Sequence, residues 1–263
     1  MINVFDYIGK HMSENTREKE TEGIVFGRNA VSELLKSGRS VDKVIFADGA
    51  KTGSASVIEA MAKNAGIPVL RANKAKLDKL ACGANHQGVV AMTAGVEYST
   101  VDDILHIAEQ RGEKPFILIC DNIEDPHNLG ALIRCAEGAG VHGVIIPKRH
   151  GCGITPTVEK ASAGACEHMS IAKVTNIAST IDLLKERGLW IYGAEADGTN
   201  LYETSLAGSA AFVVGSEGSG ISRLVREKCD FTISIPMYGK INSFNVSCAG
   251  AVIMCEAAKQ RNN

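Results

Sequence analysis

The sequence predicts an α/β protein with two domains, because segments typical of strands and of helices alternate along most of the chain. A polar, acidic stretch at residues 98–113 interrupts this alternation and is interpreted as a linker with one helix. The predicted organisation is therefore a flexible polar tail at residues 1–20, a first domain at 21–97, the linker, and a second domain at 114–263.

In the first domain, from Ile24 onward, the pattern begins with a helix and then alternates strands with helices. The predicted helices are AVSELLKSG, SVIEAMAKNAG and KAKLDKLAC. The predicted strands are KVIFA, IPVLRA and GVVAMT. Such a short alternating segment is typical of a small α/β domain.

The second domain follows a doubly wound pattern. Its predicted strands are FILIC, GVIIP, SIAKV, WIYGAEA, AFVVG and FTISIP. Its predicted helices are LGALIRCAEGAG, TVEKASAGA, IASTIDLLKERG, ISRLVREK and NVSCAGAVIMCEAAKQ. Because the loops that bind ligands in such folds follow the carboxyl ends of the strands, we expect functional residues there.

Composition and charge indicate a globular protein of the cytoplasm. No apolar run approaches the roughly 18 to 20 residues that span a bilayer, and the first residues lack the pattern of a secretory signal. The net charge of −2 gives no reason by itself to expect a polyanionic partner. The eight cysteines form no C-x-x-C pair, so reduced thiols are expected, with Cys135, Cys248 and Cys255 buried in helices.

Several classes of enzyme are disfavoured because their motifs are missing. The sequence has no P-loop, no G-x-G-x-x-G after a strand, no H-E-x-x-H and no paired cysteines and histidines with zinc spacing. Asp121, Glu124 and Asp125 cluster after a strand, where they either bind a metal or end the strand and cap the next helix. We predict no metal site.

Three loops combine polar side chains with glycine or apolar residues. Asn128 to Arg134 opens a helix, and Gly215 to Gly220 joins the apolar strand AFVV to a helix. A third loop, between Ile235 and Ser247, is bounded by apolar residues able to hold an aromatic ring. Taken singly, each loop is equally well explained as a helix cap or a tight turn.

Taken together, the three segments resemble the three motifs of the SpoU branch of the SPOUT RNA methyltransferases. The segments are DNIEDPHNLGALIRCAEGAGVHGVIIP, FVVGSEGSGISRLV and ISIPMYGKINSFNVSCAGAVIMCEA. Upstream, GIVFGRNAVSELL and NHQGVVA resemble the small RNA-binding domain of the bacterial 23S rRNA (guanosine-2′-O)-methyltransferases. The resemblance covers residues 22–261.

This resemblance implies a fold and an activity that spacing alone does not reveal. It implies a C-terminal SPOUT domain with a deep trefoil knot, a homodimer, S-adenosylmethionine as the methyl donor, and transfer to a ribose 2′-hydroxyl of structured RNA, with 23S rRNA favoured. The implied catalytic or substrate-contacting residues are Asn128, Arg134, Glu217, Ser243, Asn245 and Ser247. The implied donor-binding positions are Gly215, Ile235, Met237 and Phe244. The family usually has leucine where Phe244 stands, an exchange of one apolar residue for another.

Arg134 suits the stabilisation of negative charge in this reaction. A guanidinium keeps its proton at neutral pH, so Arg134 is expected to hold a phosphate and the developing alkoxide and not to act as a base. The hydroxyl proton is then expected to leave through Glu217, Ser243 or a substrate phosphate. Phosphate contacts in the first domain are expected from Arg28, Arg39 and the lysines of residues 74–79.

Three alternatives remain at this point. A non-catalytic RNA-binding or ribosome-assembly factor would share the composition and the fold, although Arg134 and Glu217 argue for catalysis. A transfer RNA is the main rival substrate. A generic α/β hydrolase or nucleotide-binding enzyme is disfavoured because no G-x-S-x-G elbow is present.

Overall fold

The chain divides into two compact units, Met1–Val96 and Glu97–Asn263. The computed structural model describes residues 23–49, 53–93 and 97–262. The tail predicted for residues 1–20 lies outside the described residues. Among the described residues, no helix is both long enough and apolar enough to cross a membrane.

The first unit is built around a four-stranded sheet with the order β1-β4-β2-β3. Strands β2 and β3 are parallel, and β4 runs antiparallel to both of its neighbours. The strands are β1 (Ile24–Phe26), β2 (Val41–Ala47), β3 (Val69–Ala72) and β4 (Val89–Thr93). The helices are α1 (Arg28–Ser37), α2 (Ser54–Asn64) and α3 (Lys74–Leu80).

Strand β1 is an element that the sequence pattern does not predict. It has only three residues, too few for a periodic signal, and it forms because Ile24 to Phe26 pair with the edge of β4. Both faces of this sheet are covered, with Val31 of α1 and Ile58 of α2 in one buried cluster and Leu77 of α3 in another.

The second unit contains a six-stranded sheet with the order β10-β8-β9-β5-β6-β7, in which every neighbouring pair is parallel. The strands are β5 (Phe116–Cys120), β6 (Gly143–Pro147), β7 (Ser170–Val174), β8 (Trp190–Asn200), β9 (Ala210–Val214) and β10 (Phe231–Ser234). The helices are α4 (Val101–Arg111), α5 (Pro126–Gly138), α6 (Pro156–Ala161), α7 (Ile177–Glu186), α8 (Arg223–Lys228) and α9 (Val246–Arg261).

Helices pack on both faces of this sheet, as the doubly wound pattern predicts. Alternate residues of β5 point to opposite faces, so Leu118 joins a cluster with α5 and α9, whereas Ile117 joins a cluster with α4 and α7. Fully buried parallel strands of this kind are apolar throughout. The arrangement leaves the carboxyl ends of the strands free to carry polar loops.

Two sequence expectations need correction in the second unit. Helix α6 ends at Ala161, earlier than the pattern TVEKASAGA predicts, because Ala163 (φ 53°) and Gly164 (φ 99°) adopt left-handed backbone. Helix α9 begins and runs as predicted, but Cys248 and Cys255 are exposed rather than buried. Small apolar side chains therefore face outward along α9.

A buried histidine links the start of β5 to the start of β6. His142 Nδ1 accepts a hydrogen bond from the Phe116 N–H (3.0 Å), and its Nε2 donates to Glu113 (2.9 Å). This arrangement requires a neutral ring, since a protonated imidazole has no acceptor nitrogen. Burial lowers the pKa of His142, although the bond to Glu113 opposes that effect.

We expect the His142 pair to make stability dependent on pH. Because the folded-state pKa lies below the unfolded value of about 6.5, the unfolded chain binds the proton first, and stability falls as the pH drops from about 6.5 through the lowered pKa. His142→Gln should flatten this part of the profile, which one proton limits to about 1.4 kcal/mol per pH unit. Urea denaturation at a series of pH values measures it, with the exposed His106→Gln as control; equal slopes in both variants would contradict the assignment.

Candidate active site

Three polar side chains from three separate loops form one hydrogen-bonded cluster at the carboxyl edge of the second sheet. Asn128 Nδ2 donates to Glu217 Oε1 at 3.0 Å. Asn245 Nδ2 donates to Asn128 Oδ1 at 2.9 Å and to the same Glu217 oxygen at 2.5 Å. All three were predicted as site residues, and they lie up to 117 positions apart in the sequence.

Helix starts position two members of this cluster. Asp125 caps α5 by accepting a hydrogen bond from the His127 N–H, and Asn128 is the third residue of that helix. Asn245 caps α9, and its Oδ1 accepts from the N–H groups of Ser247 (3.0 Å) and Cys248 (3.3 Å). The Ser247 hydroxyl also donates to this oxygen, so Ser247 supports the cap.

Glu217 is held by the glycine-rich loop after β9. Ser216 and Gly220 exchange two backbone hydrogen bonds of 3.0 Å across this loop. Gly215 has no room for a side chain, because a Cβ there would lie 2.1 Å from the Gly220 carbonyl carbon. The loop folds back on itself, and that fold presents Glu217 at its tip.

Two carboxylates fasten the end of the same loop. Glu195 Oε1, from β8, accepts a hydrogen bond from the Ile221 N–H (3.0 Å), and the buried Asp121 accepts one from the Ser222 N–H (2.7 Å). Asp121 and Asp125 are thus used as backbone anchors. Among the described residues, no group of three or more histidine, cysteine or acidic side chains is arranged to hold a metal.

A cavity of about 690 Å³ opens beside the cluster, within the usual size range of small-molecule sites. Its walls combine apolar side chains, glycine main chain and polar side chains from the middle of β8, the ends of β9 and β10 and the start of α9. The predicted residues in these walls are Gly215, Glu217, Ile235, Met237, Ser243, Phe244 and Asn245. They include all four predicted donor-binding positions.

Sequence reasoning missed Glu195, which also lines this cavity. The signal was available, because Glu195 is next to the last residue of the predicted strand WIYGAEA and ligands bind at the carboxyl ends of such strands. Glu195 and Glu217 are the charged side chains in the cavity wall, with no lysine, arginine or histidine among its lining residues, all of which lie in the described part of the chain. The cavity is therefore suited to a ligand with positive charge.

Arg134 is not brought into this cluster. It is exposed on α5, six residues after Asn128 and so about 9 Å further along the helix axis. Within the described residues it has no hydrogen-bond or ion-pair partner, and it does not line the cavity.

Near the cavity, burial raises the pKa of Cys229 to about 12, so this thiol is not a nucleophile at neutral pH.

Comparison with known proteins identifies the family. Residues 115–255 match the SpoU rRNA Methylase family, and residues 24–99 match the RNA 2′-O ribose methyltransferase substrate binding family. The chain belongs to the SpoU family of RNA methyltransferases. A relative from Bacillus subtilis (strain 168), named as the TrmH family tRNA/rRNA methyltransferase YacO, is 46% identical to this SpoU family chain over 240 residues, which cover 90% of the chain and 96% of the relative.

Solved SpoU structures have the same fold. The SpoU methyltransferase AviRb from Streptomyces viridochromogenes, in complex with AdoMet, superposes with a TM-score of 0.78 at 22% identity and covers 98% of both chains. The AdoMet-bound rRNA methyltransferase from Sinorhizobium meliloti gives a TM-score of 0.75 at 20% identity over 98% of this chain and 97% of its own. At this identity, the likeness establishes the fold alone.

We expect Gly215→Ala to destabilise the second unit. The added Cβ would overlap main-chain atoms of Gly220 and Ile221, which cannot move aside as a flexible side chain can. The loss should be about 1–3 kcal/mol in the free energy of unfolding. Urea denaturation measures it, and Gly239→Ala is the matched control because a Cβ on Gly239 meets nothing within 4 Å. Equal stability of the two variants would show that the Gly215 turn is not a structural requirement.

Proposed function

We propose that the cavity binds S-adenosylmethionine and that the chain methylates a ribose 2′-hydroxyl of RNA. The observation that carries this proposal is the Asn128–Glu217–Asn245 cluster beside a cavity whose lining combines apolar side chains, main chain and two carboxylates. Apolar walls from Ile235 and Phe244 suit an adenine ring, and exposed main chain suits its polar edge. The absence of basic residues among the lining residues suits a sulfonium cation.

The donor, when bound, supplies an electrophilic methyl group, and the side chains of this protein orient the ribose hydroxyl that accepts it. Glu217 Oε1 already accepts two amide hydrogen bonds, whereas no described group donates to its Oε2. That second oxygen is placed to accept a hydrogen bond from a ribose hydroxyl and so to orient it. Asn128 and Asn245 fix the carboxylate, and Ser243 adds a hydroxyl in the same wall.

The proposed substrate is a guanosine of 23S rRNA. The match of residues 115–255 to a family described as rRNA methylases supports this choice. The resemblance of GIVFGRNAVSELL and NHQGVVA to the RNA-binding domain of the 23S rRNA enzymes supports it as well. In this scheme residues 21–97 bind the RNA and residues 114–263 form the methyltransferase domain with a deep trefoil knot. The segment predicted as a linker, residues 98–113, joins the two and belongs to the second unit, because α4 packs on one face of its sheet. The name of the Bacillus relative includes tRNA as well as rRNA, so tRNA is the second candidate substrate.

A homodimer explains why Arg134 lies apart from the polar cluster of its own chain. Helix α9 exposes the small apolar residues Cys248 and Cys255, and it packs closely against α5, which carries the partly buried Cys135. We propose that this α5–α9 face pairs with its copy in a second chain. Arg134, next to Cys135, then serves the acceptor site of the partner, where it holds a phosphate and the developing alkoxide.

Methyl transfer tests the proposal. Labelled methyl from S-adenosylmethionine should enter unmodified bacterial 23S rRNA and appear, after nuclease digestion, in a 2′-O-methylguanosine. Arg134→Ala and Glu217→Gln should each lower the rate by about 10²-fold or more. Label in tRNA alone would favour the second substrate. Donor binding without label on either RNA would point to a ribosomal assembly particle as substrate, and no donor binding would indicate a non-catalytic RNA-binding protein.

Mixed dimers test the shared site. If Arg134 acts in the partner's site, co-refolded Arg134→Ala and Glu217→Gln chains should recover activity, because a mixed dimer holds one site with both groups intact. The measurement is methyl transfer by the mixture against each variant alone. If Arg134 acts within its own chain, both sites of every mixed dimer are defective and no activity returns.

A further inference from the structure

The loop that joins β6 to α6 presents three consecutive basic side chains. Lys148, Arg149 and His150 are all exposed, and we call residues 148–155 the basic loop. Its main chain is fixed by hydrogen bonds from the Lys148 N–H to Val174 O and from the Cys152 N–H to Ile123 O, both 2.7 Å. The loop is thus rigidly anchored, while its charged side chains point away from the fold.

A turn and a further lysine add to this surface. His150 adopts a left-handed backbone (φ 59°), which makes the loop turn sharply at the basic residues. Lys173 lies 5.0 Å above the ring of Tyr98, and its Nζ is 3.2 Å from where a Cβ on Gly153 would stand. Lys173 therefore lies beneath the basic loop and adds to its positive charge.

The described residues supply no counterions to these charges. In the described part of the chain, none of Lys148, Arg149 and Lys173 forms an ion pair. The β5–α5 loop at the same edge carries the acidic residues Glu124 and Asp125, both exposed, and Asp125 is engaged as the cap of α5. The basic loop also contains no large exposed apolar residue of the kind that marks a protein-binding surface.

The basic loop lies at the same edge of the sheet as the polar cluster. In the order β9-β5-β6-β7, Glu217 follows β9, Asn128 follows β5 and the basic loop follows β6. Adjacent strands are about 4.8 Å apart, so the end of β6 is about 5 Å from the end of β5 and about 10 Å from that of β9. That distance is short enough for a flanking phosphate of an RNA strand whose ribose lies at Glu217.

We propose that Lys148 and Arg149, supported by Lys173, bind phosphates of the RNA nucleotides that flank the methylated one. This inference rests on the proposed function and assigns RNA binding to the second unit itself, in addition to the first. A guanidinium and an ammonium without counterions lose little on meeting a phosphate and release its condensed cations. The contact depends on charge and not on base identity, so it positions the strand without selecting its sequence.

The test is the salt dependence of RNA binding by the full chain. Filter binding to unmodified 23S rRNA transcript, between about 50 and 200 mM KCl, compares wild type with the double variant Lys148→Gln/Arg149→Gln. Two lost phosphate contacts should lower the slope of log affinity against log salt by about 1.4 and weaken binding roughly tenfold at low salt. The control is Lys114→Gln/Arg187→Gln, which removes the same charge just before β5 and β8, at the opposite edge of the sheet.

The outcomes separate this inference from the proposed function. A lower slope in the Lys148/Arg149 variant, but not in the control, supports the inference, even if no RNA is methylated by the wild type. An unchanged slope and affinity overturn it, even if methyl transfer is confirmed. An equal drop in the control overturns it too, because the effect would then reflect total charge. Isothermal titration with S-adenosylhomocysteine should give the same affinity in all three proteins.

Discussion

The side chain of Asn245 fixes the geometry on which the candidate active site depends. Its oxygen caps α9, and its nitrogen holds both Asn128 and Glu217. A cap of this kind contributes about 0.5–2 kcal/mol, so folding of the helix and alignment of the polar cluster are coupled through one amide. The helix is itself held close to α5, since a Cβ on Gly250 would lie 2.4 Å from Leu132. The packing of α9 against α5 therefore helps to fix the position of the polar cluster.

Charge is divided along the carboxyl edge of the sheet. The cavity wall carries Glu195 and Glu217, whereas the basic loop two strands away carries Lys148 and Arg149. A cation and a polyanion must meet in the proposed reaction, and a single uniform potential would repel one of them. The order of the parallel strands separates the two environments by about 10 Å. The topology of the sheet thus keeps the acidic cavity wall apart from the basic loop.

The strands and helices of the second unit were largely predictable, and their order in the sheet was not. The predicted strand SIAKV coincides with β7 (Ser170–Val174), because a short apolar run between polar loops is typical of a buried strand. Strand β10 pairs with β8 and lies two strands from β9, an arrangement that periodicity does not encode. Strand β8 also extends to Asn200, well past the apolar part that marked it, because β10 pairs with its polar end.

The residues of the candidate site were predictable only where they lie within the three motifs. Asn128, Glu217 and Asn245 each look like ordinary turn or cap residues, and two of them are in helix starts, so only the resemblance indicated that they converge. Glu195 was missed because it lies outside the three motifs. The exposure of Cys248 was missed for another reason, since an apolar helix face predicts burial without saying whether the same chain or a second copy covers it.

The separation of Arg134 from the polar cluster has a physical advantage. An arginine within reach of Glu217 would form an ion pair with it, and an RNA phosphate would then have to compete with that carboxylate for the guanidinium. Keeping Arg134 exposed and without a partner among the described residues preserves its charge for the phosphate. The same isolation leaves Glu217 with one oxygen unoccupied, as orienting a hydroxyl requires. In the proposed homodimer, the acid and the guanidinium would meet only across the interface, with the RNA between them.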